Sequence, residues 1–182
     1  NGEIYYTLTN NSNRRVEPSS STQLPPDAAN PRAYSDTRGT TTPTTLSGNV
    51  NGHIIRMKEG ATGAASGTFT WDVYLFGAES GADAGKVNLS NLTAEQDFSS
   101  PDGLWFSPVT GLAWIQTDDG AYTDRTNCMM LAGIPGKVGD GGAKTIMNVD
   151  ATSGIMKPVA TKVGAELGDK LRRFLVGPVD CE

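Results

Sequence analysis

The chain has 182 residues with 22 glycines and 10 prolines, a combined share of about 18 % against roughly 12 % in average usage, and that excess demands many turns. With 15 Lys and Arg against 20 Asp and Glu the net charge is −5, which leaves no basic footprint for a phosphate backbone and argues against nucleic acid as a partner. No run approaches the ~18 consecutive apolar residues of a membrane span, so the composition reads as a soluble globular chain without a membrane partner. Cys128 and Cys181 match neither a C-x-x-C redox pair nor a zinc-ligand spacing, and whether they join in a disulfide is open at this point. The opening NGEIYYTLTNN has no basic or apolar leader region, so any export signal would have to lie upstream. An abrupt start in a strand pattern suggests a piece of a larger protein.

EIYYTLTN alternates and is rich in Tyr, Thr and Ile, a strand that closes on the polar turn cluster NNSNRR. Residues 16–51 contain Pro18, Pro25, Pro26, Pro31 and Pro43 with Ser and Thr runs. Proline fixes φ and removes an amide donor, so this stretch is expected to be a Pro/Thr-rich insertion loop without regular elements, mobile in its middle and ordered at AANPRAY and GNVNGH. Strand signals then recur in GHIIRMKE, TFTWDVYLF, GLWFSPVTGLAWIQTD, NCMMLAGI, KTIMNVD and RRFLVG. The stretch from Ala78 to Gly85 and the segment LTAEQ are too short and glycine-interrupted for more than a turn of helix. DGLWFSPVTGLAWIQTD reads as a hairpin with aromatic cross-strand neighbours. The fold class is therefore all-β with little helix, and short strands with Gly turns fit the four-stranded blades of a β-propeller. At roughly 40–45 residues per blade the chain makes no more than about four, so residues 1–182 are expected to be part of a single, incomplete propeller domain.

The chemistry-bearing motifs are sparse. No G-x-S-x-G elbow, P-loop or H-E-x-x-H is present, which removes the commonest serine hydrolase, P-loop nucleotide-binding and zinc-protease readings. His53 is the single imidazole, and a lone histidine in a strand is more often structural than catalytic. What remains is oxygen: carboxylates and amides, the ligands of hard cations such as calcium. Asp102 in SSPDGLWF stands at a strand entrance, where it is either a ligand or a turn-forming residue. Glu59 ends the strand IIRMKE three residues after Arg56. The period-two alternation sends these two to opposite faces unless the strand bulges or ends between them, leaving a surface pair as the plain alternative. Glu182 follows an apolar strand and a Gly-Pro turn, and Asn30 is held extended by Pro31.

In this order YYTLTNN, AANPRA, GHIIRMKE, TFTWDVYLFG, FSSPDGLWF, AWIQTD and RRFLVGPVDCE resemble the C-terminal half of the PhoX family of secreted alkaline phosphatases. Each segment is weakly specific; seven in register are jointly so, with the gaps in loops where insertions are tolerated. The resemblance implies a six-bladed propeller exported by the twin-arginine route to the periplasm or beyond, hydrolysing phosphomonoesters with a central cofactor of ferric iron and calcium ions. Carried over by position, it implies that Glu59 and Glu182 bind the metal cluster, that Arg56 contacts the phosphate or supports the group that does, and that Asp102 is a calcium-site or loop-organising residue.

The sequence departs from the family in lacking its upstream half and the further metal ligands there, including an iron-binding cysteine that neither Cys128 nor Cys181 matches. The expectation is therefore a chain that is inactive alone and completed by the remaining part of the propeller or by another copy of itself. Two other readings suit the same residues: a gluconolactonase-type propeller hydrolase with a central divalent metal, and a non-enzymatic propeller binding module.

Overall fold

A computed structural model describes residues 2–38, 43–118, 128–149, 156–162 and 171–176. Its strands are β1 (Glu3–Leu8), β2 (Tyr34–Arg38), β3 (Thr44–Gly48), β4 (His53–Glu59), β5 (Phe69–Phe76), β6 (Pro101–Phe106), β7 (Ala113–Thr117), β8 (Met129–Gly133), β9 (Ala143–Val149), β10 (Met156–Lys162) and β11 (Leu171–Val176). The one helical element among the described residues is a 3-10 turn at Gly63–Ala65. All pairings between strands are antiparallel, and they form sheets ordered β1-β4-β5, β11-β8-β7-β6, β2-β3 and β10-β9. The expected hairpin is β6–β7, with Trp105 opposite Trp114, and Ser107 and Leu112 close its loop by a backbone hydrogen bond.

The run Val73-Tyr74-Leu75-Phe76 shows why β5 carries no polar alternation. It is buried on both faces because, although β5 stands at the edge of its sheet, it is covered by packed layers on either side. The register to β4 shifts between Ile54 and Ile55, where one extra residue on β5 bulges. Beyond a bulge the faces exchange, so Tyr74 and Leu75 share one side. They pack there with Ile54, Ile115, Leu131 and Leu171, the contact between the three- and four-stranded sheets. Val73 and Phe76 point the other way, onto Leu89 and Ile146 of the next layer.

The expectation that residues 16–51 hold no regular element is corrected: β2 and β3 pair from Tyr34 opposite Gly48 to Arg38 opposite Thr44. Pro43 sits just before β3, outside the ladder where its missing amide costs nothing, and the β-branched Thr44 and Thr45 favour the strand behind it. Arg32, Ala33, Tyr34 and Val50 of this stretch are buried. The segments from Ala78 to Gly85 and around LTAEQ form turns rather than helix. The buried connection after β5 is held by side chains: Asn88 Nδ2 donates to Leu92 O while its Oδ1 accepts from Leu92 N, and Ser90 Oγ accepts from Phe76 N. Buried backbone groups outside a ladder need such partners.

Candidate active site

At one end of the four-stranded sheet lies an open cavity of about 590 Å³. β6 contributes Asp102 and Gly103, the end of β7 Gln116 and Thr117 with Asp118 just beyond, β8 Met129 and Met130 with Cys128 just before, and β11 Leu175 and Val176. Asp102 and Asp118 are exposed there, and no Lys or Arg is among the lining residues. Asp118 was not singled out in the sequence. Its signal is the Thr-Asp that closes the apolar run AWIQTD.

Asp102 owes its position to a β-bulge. Pro101 pairs with Thr117 and Leu104 with Ile115, so Asp102 and Gly103 together stand opposite the single Gln116. A Cβ on residue 103 would come within 2.4 Å of Gln116 Oε1, so any larger residue there would push the Gln116 side chain aside. Asp118 N donates to Ser100 O (2.8 Å), and Ser100 N donates to Asn51 O (2.9 Å). Ser100 holds φ at 49°, a left-handed conformation unusual for a residue with a side chain.

Arg56 faces Asp72 across β4 and β5. Its Nε donates to Asp72 Oδ1 at 2.9 Å, its Nη2 to Oδ2 at 2.8 Å and its Nη1 to Pro135 O at 2.7 Å. Both side chains are buried, 1 % and 0 % exposed. Burial pulls the guanidinium pKa down, but the hydrogen bonds and charge of Asp72 outweigh it and the net shift is upward. The loop after β8 is held by three carboxylates: Asp140 Oδ2 accepts from Lys137 N (2.7 Å), Glu3 Oε1 from Val138 N (2.9 Å) and Asp72 Oδ2 from Gly139 N (2.6 Å). Tyr5, whose phenol burial holds above its usual pKa, hydrogen-bonds Pro135 O (3.0 Å), and Tyr74 bonds Ile134 O (2.9 Å). The sequence reading missed Asp72, although a lone aspartate inside an apolar strand implies a buried cationic partner.

Glu59, half-buried at the end of β4, is not brought to Asp102. Thr7, which contacts Asp102, is opposite Ile54 on β4, five residues from Glu59, or about 16 Å along a strand. Arg56 and Glu59 are not joined either, since β4 runs regularly from Ile55 to Glu59 and the register shift with β5 lies before both. Glu182 and Cys181 lie outside the described residues, while Val176, six positions before Glu182, lines the cavity. Asn30 closes a local turn in which its N–H donates to Asp27 Oδ1 (2.8 Å).

His53 is buried, with Nε2 2.7 Å from Ala29 O and Nδ1 2.8 Å from Asn49 Nδ2. Burial, reinforced by the charge of Arg32, lowers its pKa to about 3, so it is neutral and held in the core. Arg32, unremarked in the sequence, is fully buried. It donates to Gly77 O and Val87 O at 2.8 Å each and to Gly52 O, with its guanidinium 4.7 Å from the Phe76 ring centroid.

Asp102, Gln116, Thr117 and Asp118 are hard oxygen donors, the right kind for calcium, but they share the cavity with the thiol of Cys128 and with Met129, Met130, Leu175 and Val176, which are not. In number they fall short: among the described residues no group of three or more His, Cys, Asp or Glu side chains is placed to hold a metal ion. No helix among them is long and apolar enough to cross a membrane.

Antiparallel sheets of up to four strands, packed face to face and presenting loop carboxylates at one end, place the chain in the propeller class. A solved structure of propeller-type fold, Pseudomonas fluorescens PhoX in complex with vanadate, a transition state analogue, is similar with a TM-score of 0.56 and 29 % identity over 81 % of this chain. The family described as alkaline phosphatase PhoX matches residues 1–182, and the chain belongs to it. The chain spans 25 % of the length of that solved Pseudomonas chain. No curated protein matches it.

Proposed function

We propose that this chain supplies one wall of the active site of a phosphomonoester hydrolase, with Asp102 and Asp118 at its centre. The observation that carries the reading is their joint exposure in a cavity without Lys or Arg, on a chain whose whole length matches the phosphatase family. A phosphate dianion is repelled by two bare carboxylates, so such a wall serves phosphate only when cations stand between them. Bound calcium and iron would neutralise the phosphoryl oxygens and orient the ester. Asp102 and Asp118, with Gln116 as an amide oxygen, would hold the calcium side of that cofactor, and Glu182 would add a ligand from the segment beyond Val176. Glu59, at the other end of β4, would serve a separate ion. Arg56, engaged by Asp72 and Pro135, acts as the support for the loop after β8 rather than as a group that touches phosphate.

The rest of the propeller, or another copy of the chain, completes the site in this reading, and the segment alone is inactive. The working compartment is the periplasm or the exterior. The vanadate complex of the Pseudomonas neighbour supports a phosphoryl-binding centre in this fold. The test is phosphate release from an aryl phosphate by the full-length gene product. Activity that survives zinc removal and disappears on stripping calcium is expected. Lactone hydrolysis without phosphate release would instead assign it to the gluconolactonase type, and no calcium binding at all would leave a non-enzymatic propeller.

A further inference from the structure

The four-stranded sheet β11-β8-β7-β6 is apolar on both of its faces. On one, Leu104 stands opposite Ile115 and Ile115 opposite Leu131, and these side chains pack against Ile54, Tyr74 and Leu75 of the three-stranded sheet. Cross-strand partners share a face, so the residues between them make up the other one. There Trp105 is opposite Trp114 and Trp114 opposite Ala132, while Met130 is flanked by Gln116 and Leu175. Phe174, at the bulge in β11, sets its ring edge-on to Trp114 with centroids 5.0 Å apart. Trp105 and Phe174 are each 59 % exposed and Leu175 56 %. Charge is confined to the margins, Arg172 opposite Ala132 on β11 and Asp102 in the β6 bulge.

A sheet with one wet face alternates apolar with polar residues, whereas a sheet apolar on both faces is covered on both. The chain contains its own comparison. Val73-Tyr74-Leu75-Phe76 of β5 is apolar on both sides and lies between two packed layers. The four-stranded sheet has the same pattern with a layer on one side. This chain spans 25 % of the similar solved chain of propeller-type fold, so a polypeptide of that length has further sheets to stack. In a ring of radially stacked sheets each one has a neighbour on either face. We propose that the outer face of β11-β8-β7-β6, centred on Trp105, Trp114 and Phe174, is a docking surface for another β-sheet of the same polypeptide, outside these 182 residues, which meets it with aliphatic and aromatic side chains. The inference rests on the reading of the chain as part of a closed propeller, and not on its metals or its ester. Met130 and Leu175, which also line the cavity beside Asp102 and Asp118, belong to this face, so the docked sheet accounts for the cavity's apolar side.

The experiment is hydroxyl-radical footprinting of the full-length gene product, read residue by residue by mass spectrometry in the folded state and in urea. Close-packed interiors admit no water-sized reagent, so Trp105 and Phe174 are expected to react about tenfold more slowly folded than unfolded. Val109, 91 % exposed in the loop between β6 and β7, lies off the face, and Val109→Asp is the control for Trp105→Asp. A charge thrust into a packed interface is costly, so Trp105→Asp is expected to lower the urea midpoint by about 1 M while Val109→Asp leaves it unchanged. Folded rates for Trp105 and Phe174 close to the unfolded ones overturn the proposal, whether or not the aspartate variant folds. So does an unchanged midpoint in Trp105→Asp. Protection that disappears on dilution, in step with a dimer-to-monomer change in sedimentation, assigns the face to a second copy and overturns the intramolecular partner. Phosphate-ester hydrolysis separates the two readings: protected rings in an inactive protein keep the docking surface and remove the phosphatase, and exposed rings in an active one do the reverse.

Discussion

Removing Asp72 tests whether Arg56 is a structural cation. In Asp72→Ala the guanidinium loses two charge-assisted hydrogen bonds, of 2.9 and 2.8 Å, in a place where it is 1 % exposed. Leaving one partner of a buried ion pair costs about 3–5 kcal/mol, and the stranded Gly139 N–H, which donates to the same carboxylate at 2.6 Å, adds about 1 kcal/mol. The expected loss, on the order of 5 kcal/mol, rivals the whole stability of a marginal domain. The double change Arg56→Met/Asp72→Leu removes both charges at once and recovers most of the loss, short of the unbonded Gly139 N–H, because buried pairs are often replaceable by apolar ones and Pro135 O still accepts from Tyr5. Urea unfolding followed through Trp71, Trp105 and Trp114 reads all three proteins. The reasoning is refuted if Asp72→Ala unfolds within about 1 kcal/mol of wild type, or if the double variant is no more stable than the single. A matching kinetic result is expected in the full-length protein, where Arg56→Lys lowers stability but leaves KM for the phosphate ester unchanged.

His53 gives a pH dependence of definite sign. Its folded pKa of about 3 lies below the ordinary 6.5, so the unfolded chain binds a proton that the folded one refuses. The resulting stability is complete above pH 6.5 and is lost as pH falls toward 3, with a slope of up to about 1.4 kcal/mol per pH unit. Urea midpoints of wild type and His53→Phe between pH 7 and 4 should converge as pH falls, and parallel curves would refute the assignment. Gly52→Ala should destabilise by roughly 3 kcal/mol in the same assay, since φ is +67° there and a Cβ would stand 1.9 Å from Thr9 O; a loss below 1 kcal/mol would contradict it. Gly103→Ala meets the movable Gln116 side chain instead. It should cost under about 1 kcal/mol of stability yet weaken calcium binding, and paired losses of equal size would count against the bulge's role.

The fold was legible where strands advertise themselves. EIYYTLTN, GHIIRMKE, TFTWDVYLF and the Trp105–Trp114 hairpin all stand as strands because β-branched and aromatic runs bounded by turn residues have few alternatives. The β2–β3 hairpin was hidden because its prolines suggested a loop, whereas Pro43 only borders the strand. The site was less legible. Asp102 was readable from its Pro-Asp-Gly context at a strand entrance, but the bulge that carries it arises in the pairing with β7, where Gln116 stands opposite two residues. Asp72 and Arg32 escaped notice because a charged group's burial is a tertiary property, set by packing that no local spacing records. Arg56 and Glu59 share a motif in sequence but the strand separates them, as period-two alternation requires.

The most direct test of the phosphatase reading is aryl phosphate hydrolysis by the full-length gene product with and without Asp102→Asn. The carboxylate is exposed and makes no hydrogen bond among the described residues, so the variant should keep the wild-type urea midpoint. Its kcat/KM should fall on the order of 100-fold, the scale on which a group that organises transition-state charge is missed. Wild-type turnover by a folded Asp102→Asn protein would contradict the account at its centre.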